Sequence, residues 1–209
     1  MRLTLTTFIT MDGVVQAPGG RDEDPDGGFE YGGWVVPYMD DDMVQMMAAW
    51  FAEADAFLLG RRTYEIFARS WPLVTDPDDP IASRLNSLPK YVASGTLEEV
   101  SWEGTVVLKG DLAAEVAELK RRPGRELQVH GSGRLAQTLM RHDLIDEYRL
   151  LTYPVVLGKG KRLFADGAKP AALNVIGHRS TSSGVSIDVY TPAGEPTYGS
   201  VGVEYEVDE

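Results

Sequence analysis

The chain of 209 residues reads as an α/β protein with a mostly parallel central sheet, helices on its faces and an antiparallel hairpin at the C-terminus. Three observations predict this. Short apolar runs alternate with segments of helical periodicity along most of the chain, the order that parallel strands with crossover helices require. Twice, in "AFLLGRRTYE" and "LQVHGSGRLAQ", an apolar run ends in glycine and opens a helix. Near the end, "ALNVIGHRST" and "VSIDVYT" are split only by "SSG", as in a hairpin.

In order along the chain, "LTLTTFI" (3–9) alternates apolar and polar residues and stops at "TMDG", which makes it the first strand. Residues 15–37 are rich in Gly, Pro and acids and carry Phe29, Tyr31 and Trp34, with Tyr38 just beyond; the composition suits a long functional loop. Asp40, Asp41 and Asp42 supply an N-cap and favourable charge for a helix near 41–54, in which Met43, Met46, Met47, Trp50 and Ala54 recur at helical spacing. "DAFLL" is a buried strand, Gly60 a turn and "TYEIFARSW" a short helix stopped by Pro72. After the acidic loop "TDPDDP" come a short helix near 80–87 and the strands "KYVAS" and "TVVLKG". The helix "LAAEVAELKRR", the strand "ELQVH", the turn "GSG" and the helix "RLAQTLMRHD" follow, then the strands "EYRLLTY" and "PVVLG" and the closing hairpin. Residues 1–192 form a single domain, and the Gly-rich, acidic segment 193–209 is a tail or an added edge strand.

Composition narrows the function. Hydrophobic residues make up 43% and charged ones 25%, as in a globular protein with one sizeable core. With 20 basic against 32 acidic residues, the net charge of −12 repels phosphate polymers and anionic lipid, so nucleic acid and membrane are not expected partners and any anion site is local. Cysteine is absent, which excludes disulfides, thiolate catalysis and thiolate metal sites. No apolar run approaches the roughly 20 residues of a membrane helix, and "MRLTLTTFIT" lacks the pattern of a signal peptide, so a cytoplasmic setting is the default.

The two glycine turns share one chemical design. Each presents the free N–H groups and positive dipole end of a helix, with glycine permitting close approach of a ligand. Arg61 and Arg62 stand at one turn and Arg134 at the other, and guanidinium groups suit phosphate oxygens because they donate two parallel hydrogen bonds. One such turn is a weak signal; two on one sheet point to a dinucleotide. "GSGRLA" also fits G-x-G-x-x-G/A, with Gly131, Gly133 and Ala136 in the small positions. A standard NAD site would need an acid about 20 residues on to hold the ribose, and "LLTYPVV" has none, so NADPH is preferred over NADH. His130, His142 and His178 are too widely spread for a metal site. Ser132 lacks the glycine two positions before it that a hydrolase elbow would need.

The segments "FITMDG", "LLGRRTYE", "KYVASGTL" and "LQVHGSGRLAQTLMRHDLIDEYRLLTYPVVLGKGKRLF", with the closing hairpin, stand in an order and spacing that resemble the dihydrofolate reductase-like superfamily. The branch they are most similar to is that of the riboflavin-biosynthesis reductases and bacterial deaminase-reductase domain proteins, over residues 2–192. The resemblance implies that Gly60, Arg61, Arg62 and Thr63 hold the adenosine side of NADPH, the arginines reaching the 2′-phosphate and Thr63 capping the helix beside the diphosphate. It places Ser94 along the adenine ribose phosphate and Gly131, Ser132, Gly133, Arg134 and Leu135 under the diphosphate, with His130 and Gly131 nearest the nicotinamide. Asp12 and Gly13 match the S-x-D-G turn of the riboflavin-type enzymes, although Thr10 replaces its serine; Val14 and Val15 would edge the nicotinamide pocket, and Asp12, or a water it holds, is the expected proton source. Dihydrofolate reductases carry a pterin-binding carboxylate early in the first helix. Here that helix begins "DDDMVQMM", and the N-cap reading of Asp40–Asp42 is the favoured one, so folate is not the expected substrate. Trp34, Tyr38, Met43, Met47 and Tyr64 are the substrate-side candidates. The implied activity is NADPH-dependent hydride transfer to a C=N or C=O bond of a small pterin- or pyrimidine-like heterocycle, with a nucleotide-binding module lacking turnover as the alternative. A homodimer formed through the strands near 146–157 is expected.

Overall fold

Eight strands build one sheet in the computed structural model, which describes residues 1–202. The elements run β1 (Arg2–Thr10), α1 (Asp41–Ala52), β2 (Ala54–Gly60), α2 (Arg61–Ser70), α3 (Ala82–Ser87), β3 (Lys90–Ala93) and β4 (Thr105–Leu108). They continue with α4 (Leu112–Arg121), β5 (Glu126–His130), α5 (Gly133–Arg141), β6 (Glu147–Tyr153), β7 (Ala172–Ser180) and β8 (Ser186–Gly194). The strand order is β4-β3-β2-β5-β1-β6-β8-β7. From β4 to β6 all neighbours are parallel, and β8 pairs antiparallel with both β6 and β7. The α/β class and the C-terminal hairpin read from the sequence are the observed ones.

Strand alternation decides which helix covers which face. Leu3, Leu5, Ala56, Leu58, Leu127 and Val129 share one core with Val116 and Leu119 of α4 and Leu135 and Leu139 of α5. The intervening residues Phe57 and Leu59 point to the other face, where they pack with Phe51, Tyr64 and Leu85. Helices α1, α2 and α3 therefore lie on one face and α4 and α5 on the other, which is how a side-chain period of two sorts a buried parallel sheet.

On the α1 face the sheet carries charge as well as carbon. Arg149 is buried and donates to Glu126 at 2.7 and 3.1 Å and to Glu147 at 2.7 Å, and its guanidinium lies 5.0 Å from the Trp50 ring centre. Arg2 reaches the same two carboxylates at 2.5 and 3.0 Å. Burial pushes the Glu126 carboxyl up, but hydrogen bonds from Arg149 and Arg2 outweigh it and hold the group below its ordinary range. Gln128 completes the row by donating to Glu126 and to the Trp50 carbonyl. These partners explain how "ELQVH" can be wholly buried with polar residues at alternate positions.

Several expectations need correction. "PVVLG" is a loop, because both edges of β6 are already taken by β1 and β8; Val156 projects outward. For the same reason residues 147–153 offer no free backbone edge to a second copy, and the exposed edge strand on that side of the sheet is β7. Helix α1 ends at Ala52 and α2 begins at Arg61, directly after the glycine. Strand β8 reaches Gly194, two residues beyond the expected domain end; residues 195–202 are irregular, and 203–209 lie outside the described residues. Asp40 is the N-cap of α1, accepting from the Met43 amide at 2.9 Å, and it also accepts from Ser182 and Ser183 of the hairpin turn, so its hydrogen bonds hold it well below the usual carboxylate range against the opposing effect of desolvation.

Candidate cofactor crevice

Strands β2 and β5 are neighbours, yet α2 leaves β2 for one face while α5 leaves β5 for the other. The chain diverges there and opens a crevice at the carboxyl ends of the strands, the place where open α/β sheets bind ligands. Both helices start on this crevice with no side-chain cap: Gly60 is the N-cap of α2 and Ser132 that of α5. The Arg61 N–H continues the β2–β3 ladder toward the Ala93 carbonyl, but among the described residues no protein group accepts from the N–H groups of residues 62, 63 and 133–135. Two positive helix ends thus converge with these donors free.

Ser132 joins the two turns. Its Oγ accepts from the Gly60 N–H at 3.0 Å, with Thr63 Oγ1 at 2.9 Å and the His130 carbonyl at 3.0 Å as acceptors open to its single proton. The hydroxyl is aimed by a backbone that turns through left-handed space at Gly131 (φ 54°) and Ser132 (φ 56°), and serine is an uncommon occupant of that region. The Gly131 N–H donates to the Thr6 carbonyl and ties the turn to β1. A Cβ at Gly133 would stand 3.3 Å from Val15 Cγ2, so the β1 loop packs directly against this turn.

The arginines differ in availability. Arg61 is exposed at the start of α2 and donates to Glu65 and Thr96, both at 2.7 Å. Thr96 belongs to a small turn closed by Ser94, whose Oγ accepts from the amides of Thr96 and Leu97, so Ser94 lies in the same turn as the hydroxyl that Arg61 touches. Arg62 is engaged by loop 15–37 instead: it donates to Asp24 and pairs with Asp26 at 2.8 Å. Arg134 projects from the first turn of α5 and has no ion pair among the described residues.

Other expected site residues sit elsewhere. Thr63 is the third residue of α2 rather than its cap, although its hydroxyl does meet Ser132. The His130 ring is buried and stacks on Phe51 at 4.4 Å with its Nε2 3.0 Å from Gln128 Oε1; burial pushes its pKa down to about 3, so it is neutral and only its carbonyl reaches the crevice turn. Tyr64 is a core residue whose hydroxyl accepts from the Ser101 and Trp102 amides, so its polar end is taken up within the core under α2. Asp12 accepts from Thr10 Oγ1 at 2.7 Å, from Leu157 N–H at 3.2 Å and from Gly158 N–H at 2.8 Å. Desolvation opposes these bonds but they prevail, and the carboxyl stays below its ordinary range, which suits an anchor for the turn and not a proton donor at neutral pH.

Trp34, Tyr38 and Met43 do gather, around the fully buried Tyr153. The rings of Trp34 and Tyr38 meet Tyr153 edge-on at 5.3 and 5.8 Å, and the Tyr153 hydroxyl donates to Met43 Sδ at 3.1 Å. Met47 packs between this cluster and the core under α2. Sequence reasoning missed Asp24, Asp26 and Gln16. Their significance depends on Arg62 and Lys161, which no local pattern links to them.

Comparison with known proteins decides the family. The RibD C-terminal domain profile matches residues 2–187, nearly the whole chain. The chain belongs to the RibD C-terminal domain family. This RibD C-terminal domain protein is 30% identical over 191 residues to the uncharacterized protein YyaP of Bacillus subtilis, covering 90% of this chain and 94% of that one. Its fold is shared with a Shewanella sp. PV-4 protein described as a riboflavin biosynthesis protein, with a TM-score of 0.64, 24% identity and coverage of 92% and 99% of the two chains. The same fold occurs in a diaminohydroxyphosphoribosylaminopyrimidine deaminase/5-amino-6-(5-phosphoribosylamino)uracil reductase of Thermotoga maritima, at a TM-score of 0.60 and 15% identity, where this chain covers 56% of the longer protein. Membership of the RibD C-terminal domain family supports a reductase-type role.

Proposed function

We propose that this RibD C-terminal domain protein is an NADPH-dependent reductase that acts on a small heterocycle. The reading is carried by one observation, the convergence of two uncapped helix N-termini tied by Ser132 across the β2–β5 crevice. The free amides of residues 62, 63 and 133–135, with a glycine backbone on both sides, fit a diphosphate. Arg134 would flank it, with Gly131, Gly133 and Leu135 forming its bed. Arg61, beside the hydroxyls of Ser94 and Thr96, would take the 2′-phosphate, and Arg62 stands next to it with its charge already shared by Asp24 and Asp26. NADPH bound there supplies hydride for a C=N or C=O bond. The chain's own part is to hold the cofactor, order the β1 loop through Asp12 and exclude water with the loop that carries Trp34 and Tyr38; the proton comes from water.

The test is binding before chemistry. Titration of the protein with NADPH and NADH should show tighter binding of NADPH, and a panel of pterins, pyrimidine diones and quinoid heterocycles should contain a compound that makes NADPH disappear. No binding of either nucleotide at millimolar concentration removes the reading; binding with no consumption across the panel leaves a nucleotide-binding module.

A further inference from the structure

The loop between β1 and α1 is built around a compact ionic cluster that no catalytic step uses. Asp24 is buried to all but 7% of its surface and bridges Arg62 to Lys161, with its Oδ2 2.7 Å from Lys161 Nζ. Asp26 repeats the arrangement at 2.8 Å from Arg62 and 2.8 Å from Lys161. Two cations and two carboxylates therefore meet beside the first turn of α2, and their formal charges cancel. The loop presents these acids on a firm frame: Gln16 Nε2 donates to the carbonyls of Asp24 and Asp26, and Gln16 Oε1 accepts from the Lys161 amide.

Arg62 stands one residue from Arg61 in the turn whose amides are free for an anion. A doubly negative phosphate arriving there meets a neutralised Arg62 and two carboxylates that already occupy its donors. Carboxylate and phosphate oxygens seek the same guanidinium edge, so both cannot hold it.

We propose that Asp24 and Asp26 act as a built-in competitor for phosphate at Arg62 and Lys161, setting how tightly the crevice holds a phosphorylated ligand and releasing loop 15–37 when one binds. The inference rests on the cofactor reading for its natural ligand, but the competition itself applies to any phosphate. In the free protein the acids close the cluster and the loop lies against α2. With phosphate on Arg62, Asp24 and Asp26 keep only Lys161, and the strap between the loop and α2 is lost.

The experiment compares wild type with Asp24→Asn/Asp26→Asn and with Asp26→Asn alone, the latter altering only the more exposed acid. Each is titrated with inorganic pyrophosphate and with NADPH at low and high salt, and its rate of trypsin cleavage after Arg21, an exposed residue of the loop, is followed. The double variant leaves two uncompensated cations and should bind pyrophosphate about tenfold or more tightly at low salt, with the gain shrinking as salt screens it; Asp26→Asn should fall between. Pyrophosphate should speed cleavage at Arg21 in wild type and leave the already fast cleavage of the double variant unchanged. Equal or weaker pyrophosphate binding by both variants, or cleavage in wild type indifferent to pyrophosphate, overturns the proposal. Tighter pyrophosphate binding with no NADPH binding by any form upholds the competition and removes the cofactor reading instead.

Discussion

The hydroxyl of Ser132 accepts a hydrogen bond from the Gly60 amide at 3.0 Å, joining residues 72 positions apart at the point where two helices start on opposite faces of the sheet. The contact fixes the distance between the two sets of free amides. Ser132→Ala removes the acceptor and leaves the amide unsatisfied, while alanine keeps the left-handed strain; Ser132→Gly removes the hydroxyl and relieves the strain. The expected loss of stability for Ser132→Ala is about 1–3 kcal/mol, with Ser132→Gly less affected, read from denaturant midpoints. Equal stability of all three forms would show that the tie contributes nothing.

Loop 15–37 closes on itself where Gly32 passes the backbone of residues 20 and 21. A Cβ at Gly32 would stand 2.4 Å from the carbonyl oxygens of both Gly20 and Arg21, and these are backbone atoms with no rotamer to yield. Gly32→Ala is expected to open this loop while leaving the sheet intact. Hydrogen exchange should accelerate at the Gly33 and Val35 amides, which donate to Ala17 and Pro18, with little change in β5.

Much of the fold was legible because strand and helix periods survive in a chain whose core is ordinary carbon: β1, β5 and the hairpin follow directly from alternation, and the two glycine turns mark where strands hand over to helices. Three kinds of feature were not legible. Whether "PVVLG" pairs depends on both edges of β6 being occupied, a property of the assembled sheet. Tyr64 could face either side of its short helix, and only the amides of Ser101 and Trp102 decide it. Alternation along β6 puts Glu147 beside Arg149, but Asp24 lies 38 residues from Arg62 and Glu126 lies 23 from Arg149, beyond any local spacing rule.

Arg149 gives a stability test. Arg149→Ala strands Glu126 and Glu147 beneath α1 with Arg2 as their remaining cation, and the expected cost is about 3–5 kcal/mol. A thermal midpoint within a degree or two of wild type would mean that water or Arg2 compensates fully.

Acid sensitivity has a definite starting point. His130 is neutral in the fold with a pKa of about 3 against an ordinary value of 6.5, chiefly through burial and secondly through Arg149. The unfolded chain therefore binds the extra proton first, and the stabilising contribution is complete above pH 6.5 and declines as pH falls from there toward 3, by on the order of 1 kcal/mol per pH unit. Glu126, whose folded value is depressed, adds a second decline below its ordinary 4.5. In His130→Phe the slope between pH 6.5 and 4.5 should flatten while the fall below 4.5 remains; an unchanged slope in the upper interval would assign it to other groups.

Trp34 gives the protein its own optical reporter. Its indole N–H donates to the Gln16 carbonyl at 2.8 Å and its ring meets Tyr153 edge-on. The indole thus joins the start of loop 15–37, through Gln16, to Tyr153 at the centre of the sheet. Near-ultraviolet circular dichroism, which senses asymmetric aromatic surroundings, can follow separation of the two without any attached label.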